Sequence, residues 1–391
     1  MNILFQQHMI LGTGESIHIR EVTNNLLNLG HNMIPISKGL SNYYRKTSVK
    51  PSISMRIMNK FFGSAIFLHE LPKFILTFAT LLRKHKAIDV VYMRHDLFAS
   101  GYFLAKLFRI PVVKEVNGIV ADETKARRQV GRILFWIMDR IERLNMPKAD
   151  KIIVVTSRLK KVLQEDYRVP SDKIVVIQNG ANTDLFKPMD ATIARNKLNL
   201  NQANNYVCFV GAFYAWQGID YLVKSMPLVL QECPNTRFLL VGDGEMKQEL
   251  IELAELVGVS DKVIFTGMVP YQKVPLYINA SDICVLPAAK NFRNDRTGGS
   301  PLKLHEYMAC ERPLVVGNIA GVVEDVEDTN SGFVVDSTNT DDMARAIITL
   351  LRDEQLRKKM GSRARKNAVE KYSWEKITEQ VAEVCQSEVM K

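Results

Sequence analysis

A chain of 391 residues, 47% hydrophobic and 24% charged, has room for two or three domains and is too apolar for a disordered class. Its five cysteines (Cys208, Cys233, Cys284, Cys310 and Cys385) form no CxxC pair, which argues against a disulfide framework or structural zinc site and suits a reducing compartment. The net charge of +10 is uneven: residues 1–190 carry 29 Lys and Arg against 16 Asp and Glu, a balance of +13, while residues 191–391 carry 23 against 26. No RNA- or DNA-binding module accompanies this basic half, so nucleic acid is not read as a partner; an anionic membrane surface or acceptor fits better, beside the plain alternative of a solvated surface.

In chain order, "NILFQQ" predicts a short strand and "LGTGES" a glycine-bearing loop holding Gly12, Gly14 and Glu15. A helix is expected from about Ile17 to Leu29, closed by Gly30, then a strand in "HNMIPIS". The start has no basic leader and too short an apolar run for a signal peptide. The stretch from Phe61 to Lys86 is mostly apolar but is interrupted by His69, Glu70, Pro72 and Lys73, a poor candidate for a spanning helix. It reads as an amphipathic helix in a membrane interface, with Arg45, Lys46, Lys50, Arg56 and Lys60 nearby, or equally as a core helix pair. "AIDVVYMR", "IPVVKEVNG", "KADKIIVVTS" and "DKIVVIQNG" are β-branched runs separated by helical stretches.

After "LFKPMDATI" the scheme restarts. "NYVCFVGAF", "TRFLLVGDG", "DKVIFTG", "SDICVLPA", "RPLVVGN" and "SGFVVD" are strands, helices alternate with them, and two helical segments close the chain. The pattern is α/β, with two Rossmann-like doubly wound domains facing a central cleft, because such sheets bind ligands outside the carboxyl ends of their strands. Residues 1–188 form the first expected domain, 189–370 the second, and 371–391 a terminal helix packing back on the first.

No GxGxxG with a ribose-binding acid, P-loop, Asp-x-Asp, HExxH or GxSxG is found, so no metal ligand set is assigned. The most informative stretch is "GGSPLKLHEYMACERPLVV", Gly298 to Val316. Ser300 and Pro301 suit the N-cap and first position of a helix, whose free N–H groups attract anions. Gly298 and Gly299 admit a bulky group to the backbone. Lys303 adds a charge one turn in, and Glu306, three residues later on the same side, is placed for a pair of hydroxyls. A surface Lys303–Glu306 pair at an ordinary cap is the competing reading.

Here the chain resembles the retaining GT-B glycosyltransferases of family GT4. "GTGESIHIREVTNNLLNLGH", "VVIQNGANTDLFKP", "FVGAFYAWQGIDYLVKSM", "FLLVGDGEMKQEL", "VIFTGMVPYQKVPLYINASDICVLP", "SPLKLHEYMACERPLVVGNIAGVVEDV" and "GFVVDSTNTDDMARAI" follow in the family's order over nearly the whole chain. The resemblance places Glu306 on the nucleotide ribose and Ser300, Pro301 and Leu302 at the diphosphate, with Gly211, Gln217, Gly242, Val269 and Arg296 in the same donor site. It puts Gly12, Gly14 and Glu15 in the first domain's phosphate or acceptor loop.

Three departures stand out. Gly298 occupies the position of a sugar-binding glutamate. Ala212 and Gln217 replace an Arg and a Lys that neutralise the diphosphate, which leaves Lys303, Arg293 and Arg296 to supply charge. Asn117 stands at or near the place of a histidine, with Glu115 before it; "EVN" and "W-x-G" resemble a subgroup of the family. Asn117, Arg94, His95 and Lys303 are the candidate catalytic residues.

The resemblance implies transfer of a hexosyl group from a UDP- or GDP-sugar to a glycan or lipid-linked acceptor, without a metal or other cofactor. It implies a cytoplasmic enzyme of bacterial surface polysaccharide or glycolipid synthesis, peripheral on the inner face of the membrane. A GT-B sugar-nucleotide epimerase and a non-catalytic sugar-nucleotide-binding protein are the alternatives.

Overall fold

The computed structural model describes residues 1–6, 14–34, 66–95, 100–122, 132–288 and 291–391; Gly12 and the basic residues Arg45, Lys46, Lys50, Arg56 and Lys60 lie outside them. The chain divides into two compact units, Met1–Ile177 with Thr378–Lys391, and Gln178–Ile377. The division precedes the join expected at 188. Asn179 is hydrogen-bonded to Ser300 and Ala181 to Tyr372, which ties this stretch into the second unit.

The first unit is built on a parallel sheet of β1 (Asn2–Gln6), β2 (Asn32–Ile34), β3 (Val90–Arg94), β4 (Val112–Val116), β5 (Lys151–Val154) and β6 (Ile174–Val176), in the order β2-β1-β3-β4-β5-β6. All five residues of β4 are buried, as expected of a strand covered on both faces. The order reverses between β1 and β3, so the chain leaves their carboxyl ends in opposite directions. The helix after β1 starts at Gly14, earlier than expected, and the Glu15 side chain lies outside the description. The apolar stretch 61–86 contributes the helix Ile66–Lys84, whose Thr77 and Leu81 are buried. Leu81 packs with Phe78, Phe108 and the sheet, while Ile75, Leu76 and Leu82 of the same helix are exposed.

The second unit holds β7 (Asn205–Val210), β8 (Thr236–Val241), β9 (Val263–Gly267), β10 (Ile283–Leu286), β11 (Leu314–Gly317) and β12 (Gly332–Val335), all parallel, in the order β12-β11-β10-β7-β8-β9. Alternation along β7 supplies both layers of its core: Tyr206, Cys208 and Val210 pack on one face, Val207 and Phe209 on the other. The switch point falls between β7 and β10.

Three helices close the chain where two were expected: Thr340–Arg352, Glu354–Glu370 and Trp374–Val389. The break is a single residue. Asp353 leaves helical geometry and its carboxylate caps the next helix by accepting from Leu356 N–H at 2.8 Å.

Candidate functional site

At the switch point of the second unit, two glycines clear the strand ends. Gly211 follows β7 with φ of 145°, and Gly242 follows β8 with φ of 142°. A Cβ on Gly242 would overlap the Gly211 carbonyl oxygen, and a Cβ on Gly211 would lie 2.5 Å from Lys303 Nζ. Neither position accepts a side chain without displacement. The loop beyond Gly211 buries Phe213, stacks Tyr214 on Trp216 at 4.4 Å, and presents Gln217 before the helix Ile219–Glu232.

Across from it stands the helix Leu302–Ala309. It begins one residue later than expected. Pro301 is the N-cap and has no side-chain cap bond, while Ser300 lies just outside. Ser300 is held elsewhere: its hydroxyl accepts from Asn179 N–H at 3.0 Å and its carbonyl from Asn179 Nδ2 at 2.6 Å. Among the described residues no side chain caps this helix start, the condition for anion binding at a helix N-terminus.

Lys303 donates to Gln217 Oε1 at 2.9 Å, and its amine lies 4.2 Å above the Phe209 ring centroid. Among the described residues it makes no ion pair with a carboxylate. Burial pushes its pKa down to about 7, with the Glu306 charge opposing. The residue as a whole is half-buried, so water that reaches it moderates this effect. Glu306 is 5% exposed and accepts a hydrogen bond from Tyr271 hydroxyl at 2.9 Å. The amine and carboxylate thus have separate partners, unlike an ordinary surface pair. Tyr271 packs on Phe186 at 5.2 Å, and Val269 joins the same core as a partly buried residue. Neither Tyr271 nor Asn179 was singled out from sequence.

Gly298 explains its own identity. It sits at φ 67°, ψ −157°, a region open essentially to glycine alone, and a Cβ there would overlap the Ala320 carbonyl oxygen. Gly299 N–H donates to that same oxygen at 3.0 Å. A glutamate at 298 would need a different backbone. Gly298→Glu is expected to lower stability by about 2–4 kcal/mol, from the strained conformation and the displaced carbonyl. Thermal melts check this, and an unchanged melting temperature would contradict it.

Just before Gly298, the short helix Phe292–Thr297 was not foreseen. Asn294, 5% exposed, donates to the Trp216 carbonyl at 3.3 Å and so ties this helix to the Gln217 loop. Arg296 lies 5.8 Å from the Phe292 ring centroid.

In the first unit, the ends of β3 and β4 meet at His95 N–H, which donates to the Glu115 carbonyl at 2.6 Å. The buried Glu115 carboxylate accepts from Asn117 Nδ2 at 2.6 Å and from Tyr92 hydroxyl, and His18 Nε2 lies 3.0 Å away. Burial alone would raise its pKa. The His18 and Arg94 charges and the bonds from His18 and Tyr92 outweigh burial and hold it at about 2. Burial, then the Glu115 charge, pushes Tyr92 well above its usual value. The Asn117 Oδ1 atom is buried with no partner among the described residues.

The depressed Glu115 pKa stabilises the fold above the unfolded carboxylate range, and that contribution is lost as pH falls from about 4.5 toward 2. Melts between pH 6 and pH 3 should show a steeper acid loss in the wild type than in Glu115→Gln. Equal slopes would remove Glu115 from the account.

The His95 side chain is 2% exposed, and its Nε2 lies 2.6 Å from Glu142 Oε1. Glu142 also accepts from the N–H groups of Val120 and Ala121 at 2.8 and 2.9 Å. His95 is thus part of the bracing of the turn after β4, with Nδ1 buried and unpaired among the described residues. Gly14 opens the first helix, and Gly12 is outside the description.

The profile of the family described as Glycosyl transferases group 1 matches residues 190–367, and that of Glycosyltransferase Family 4 matches residues 12–185. An uncharacterized glycosyltransferase of Methanocaldococcus jannaschii is 27% identical over 310 residues, covering 76% of this chain and 74% of the relative. A mannosyltransferase of Corynebacterium glutamicum, named as GDP-mannose-dependent and acting on monoacylated phosphatidylinositol monomannoside, is 30% identical over 201 residues, covering 51% and 52%. Among solved structures, Anabaena HepE in complex with UDP superposes with a TM-score of 0.74 at 18% identity, covering 99% of this chain and all of that one; this likeness shows the GT-B fold.

Proposed function

The chain belongs to the group 1, family 4 glycosyltransferases of GT-B fold, and from that membership we propose that it moves a hexosyl group with retention from a UDP- or GDP-sugar to an acceptor hydroxyl, in the synthesis of bacterial surface polysaccharide or glycolipid. Transfer of a sugar from a nucleotide-sugar comes with the family; base, stereochemistry and acceptor are the proposal. The observation that carries it is the helix Leu302–Ala309, where a half-buried amine that among the described residues is bonded to a neutral amide and to no carboxylate sits one turn from a buried carboxylate.

An amine without a carboxylate partner suits an anion, and the diphosphate of the donor supplies one. Lys303, Arg296 and the amides of Ser300 and Leu302 meet it in this reading, Gly211, Gly242 and Gly299 let it approach, and Glu306 receives the ribose hydroxyls. The departing phosphate takes the acceptor proton, and the protein stabilises the charge it gains without a metal or other cofactor. In the first unit, Asn117 and Arg94 are assigned to the acceptor side, with Asn117 Oδ1 buried and unpartnered among the described residues, and His95, held by Glu142, positions the turn beside them. The HepE complex with UDP and the GDP-mannose-dependent relative support these two bases, and that relative's phosphatidylinositol substrate supports a lipid-linked acceptor. The reading places the enzyme in the cytoplasm, at the inner face of the membrane.

Thermal melts with UDP-, GDP- and ADP-sugars test it. A true donor at a hundredfold excess over its Kd should raise the melting temperature by about 5 °C. NMR of the product then reads the anomeric configuration. No shift with any donor would sink the nucleotide-sugar assignment, and an inverted product would sink retention.

A further inference from the structure

We propose that the exposed apolar face of the helix Arg132–Asn145 docks the first unit on an anionic lipid surface. This helix has two apolar faces. One is used inside the unit: Met138 and Asn145 are buried, and Phe135 and Ile141 pack against the core of β5 and β6. On the other, Ile133 is 79% exposed, Trp136 58%, Ile137 40% and Leu144 68%. These positions recur at helical spacing, so they share one stripe about 16 Å long at the rise of an α-helix. Packing on a sheet needs only one such stripe, and a second one open to water marks an interaction surface. The surface continues: Phe103 and Leu107 stand exposed on the helix Ser100–Leu107, and Lys148 Nζ lies 4.6 Å from the Phe103 ring centroid.

Charge says what covers it. The Arg140 guanidinium lies 5.4 Å over the Trp136 ring, and Lys148 is exposed at the far end. The helix carries two carboxylates, and neither competes: Asp139 is paired with Arg143 at 2.7 Å, and Glu142 is fully buried. A tryptophan and branched aliphatics bordered by cations suit the boundary between headgroups and acyl chains, where rings and alkyl stems bury while charges stay at the phosphates. The excess of +13 over residues 1–190 adds attraction to an anionic leaflet. A second copy of the chain would set the same cations against each other. No helix among the described residues is long and apolar enough to cross a membrane, so the contact is with its surface. The sequence offered the segment 61–86 for this role, evenly with a core helix; there Leu81 is buried while Ile75, Leu76 and Leu82 are exposed, and the proposal rests on the helix Arg132–Asn145.

The test is co-sedimentation of the full chain with vesicles of phosphatidylcholine alone or with about 30% phosphatidylglycerol. The bound fraction should be about tenfold higher on the anionic vesicles and fall in high salt. The double variant Trp136→Ser with Ile137→Ser, and separately Arg140→Glu with Lys148→Glu, should each lower it about tenfold. Trp374 is buried and Trp216 stacks on Tyr214 in the second unit, so the part of the emission that Trp136→Phe removes should report binding by moving to shorter wavelength. Trp136→Phe should still sediment but lose that shift. All variants should keep the wild-type melting shift with nucleotide-sugars, which separates failure of docking from failure of the donor assignment. Equal recovery on neutral and anionic vesicles, or undiminished binding by the Trp136→Ser, Ile137→Ser chain, would overturn the proposal.

Discussion

Replacing Lys303 with methionine should lower kcat/KM for transfer by about 100-fold or more while the chain stays folded. Methionine fills similar space and keeps contact with Phe209, so the change removes mainly the charge and the bond to Gln217. Charge-stabilising donors of this kind contribute about 10²–10³ in rate when they act on a leaving group. Lys303→Arg should recover little, because a guanidinium does not fit the space over Gly211, where a single added Cβ would already lie 2.5 Å from the amine.

The pH dependence gives a second readout. In the free protein the Lys303 pKa is near 7, lowered by burial and partly restored by Glu306. An anionic donor binds the protonated amine better and raises that pKa. Donor affinity should therefore be full below pH 7 and decline as pH rises above it, by at most about tenfold per unit. Lys303→Met should lose this slope. A wild type and a variant with the same rate and pH profile would remove Lys303 from the donor site. Folding runs the other way. The neutral amine is the form the fold prefers, so Lys303 adds to stability as pH rises from about 7 toward the unfolded lysine value.

Glu306→Ala should raise the donor KM by about 100-fold. Hydrogen bonds to a charged group contribute about 1.5–3 kcal/mol each, and loss of one or two such bonds to ribose hydroxyls accounts for that change. The same substitution removes the bond from the Tyr271 hydroxyl to Glu306, so a modest fall in melting temperature is expected. Tyr271→Phe separates the two effects. It removes the brace and keeps the carboxylate, and should cost less than about tenfold in KM. If both variants shift KM equally, Glu306 acts by holding Tyr271 rather than by touching donor.

Much of the fold is legible in the sequence, for a local reason. The β-branched runs between glycine-bearing turns correspond to β3 through β12, because the inner strands of a parallel sheet are covered on both faces and so read as largely apolar runs. What was not legible comes from distant partners. Asn179 reaches Ser300 from 121 positions away and takes the hydroxyl that seemed free to cap the helix, so the cap falls on Pro301. Tyr271 approaches Glu306 from 35 positions away. The Glu115 cluster draws on His18 and Tyr92, and His95 on Glu142, none of which shares a motif with its partner. Gly298 was visible as a departure from the family pattern. Its cause, a glycine-only backbone against the Ala320 carbonyl, belongs to three dimensions.

The central claim is that the helix Leu302–Ala309 receives the nucleotide-diphosphate sugar. A crystal structure with an intact UDP- or GDP-sugar tests it most directly. The account predicts a phosphate oxygen within about 3 Å of Lys303 Nζ and a ribose hydroxyl at the same distance from a Glu306 carboxylate oxygen. A nucleotide bound elsewhere, with Lys303 still bonded to Gln217 and no ribose on Glu306, would contradict it.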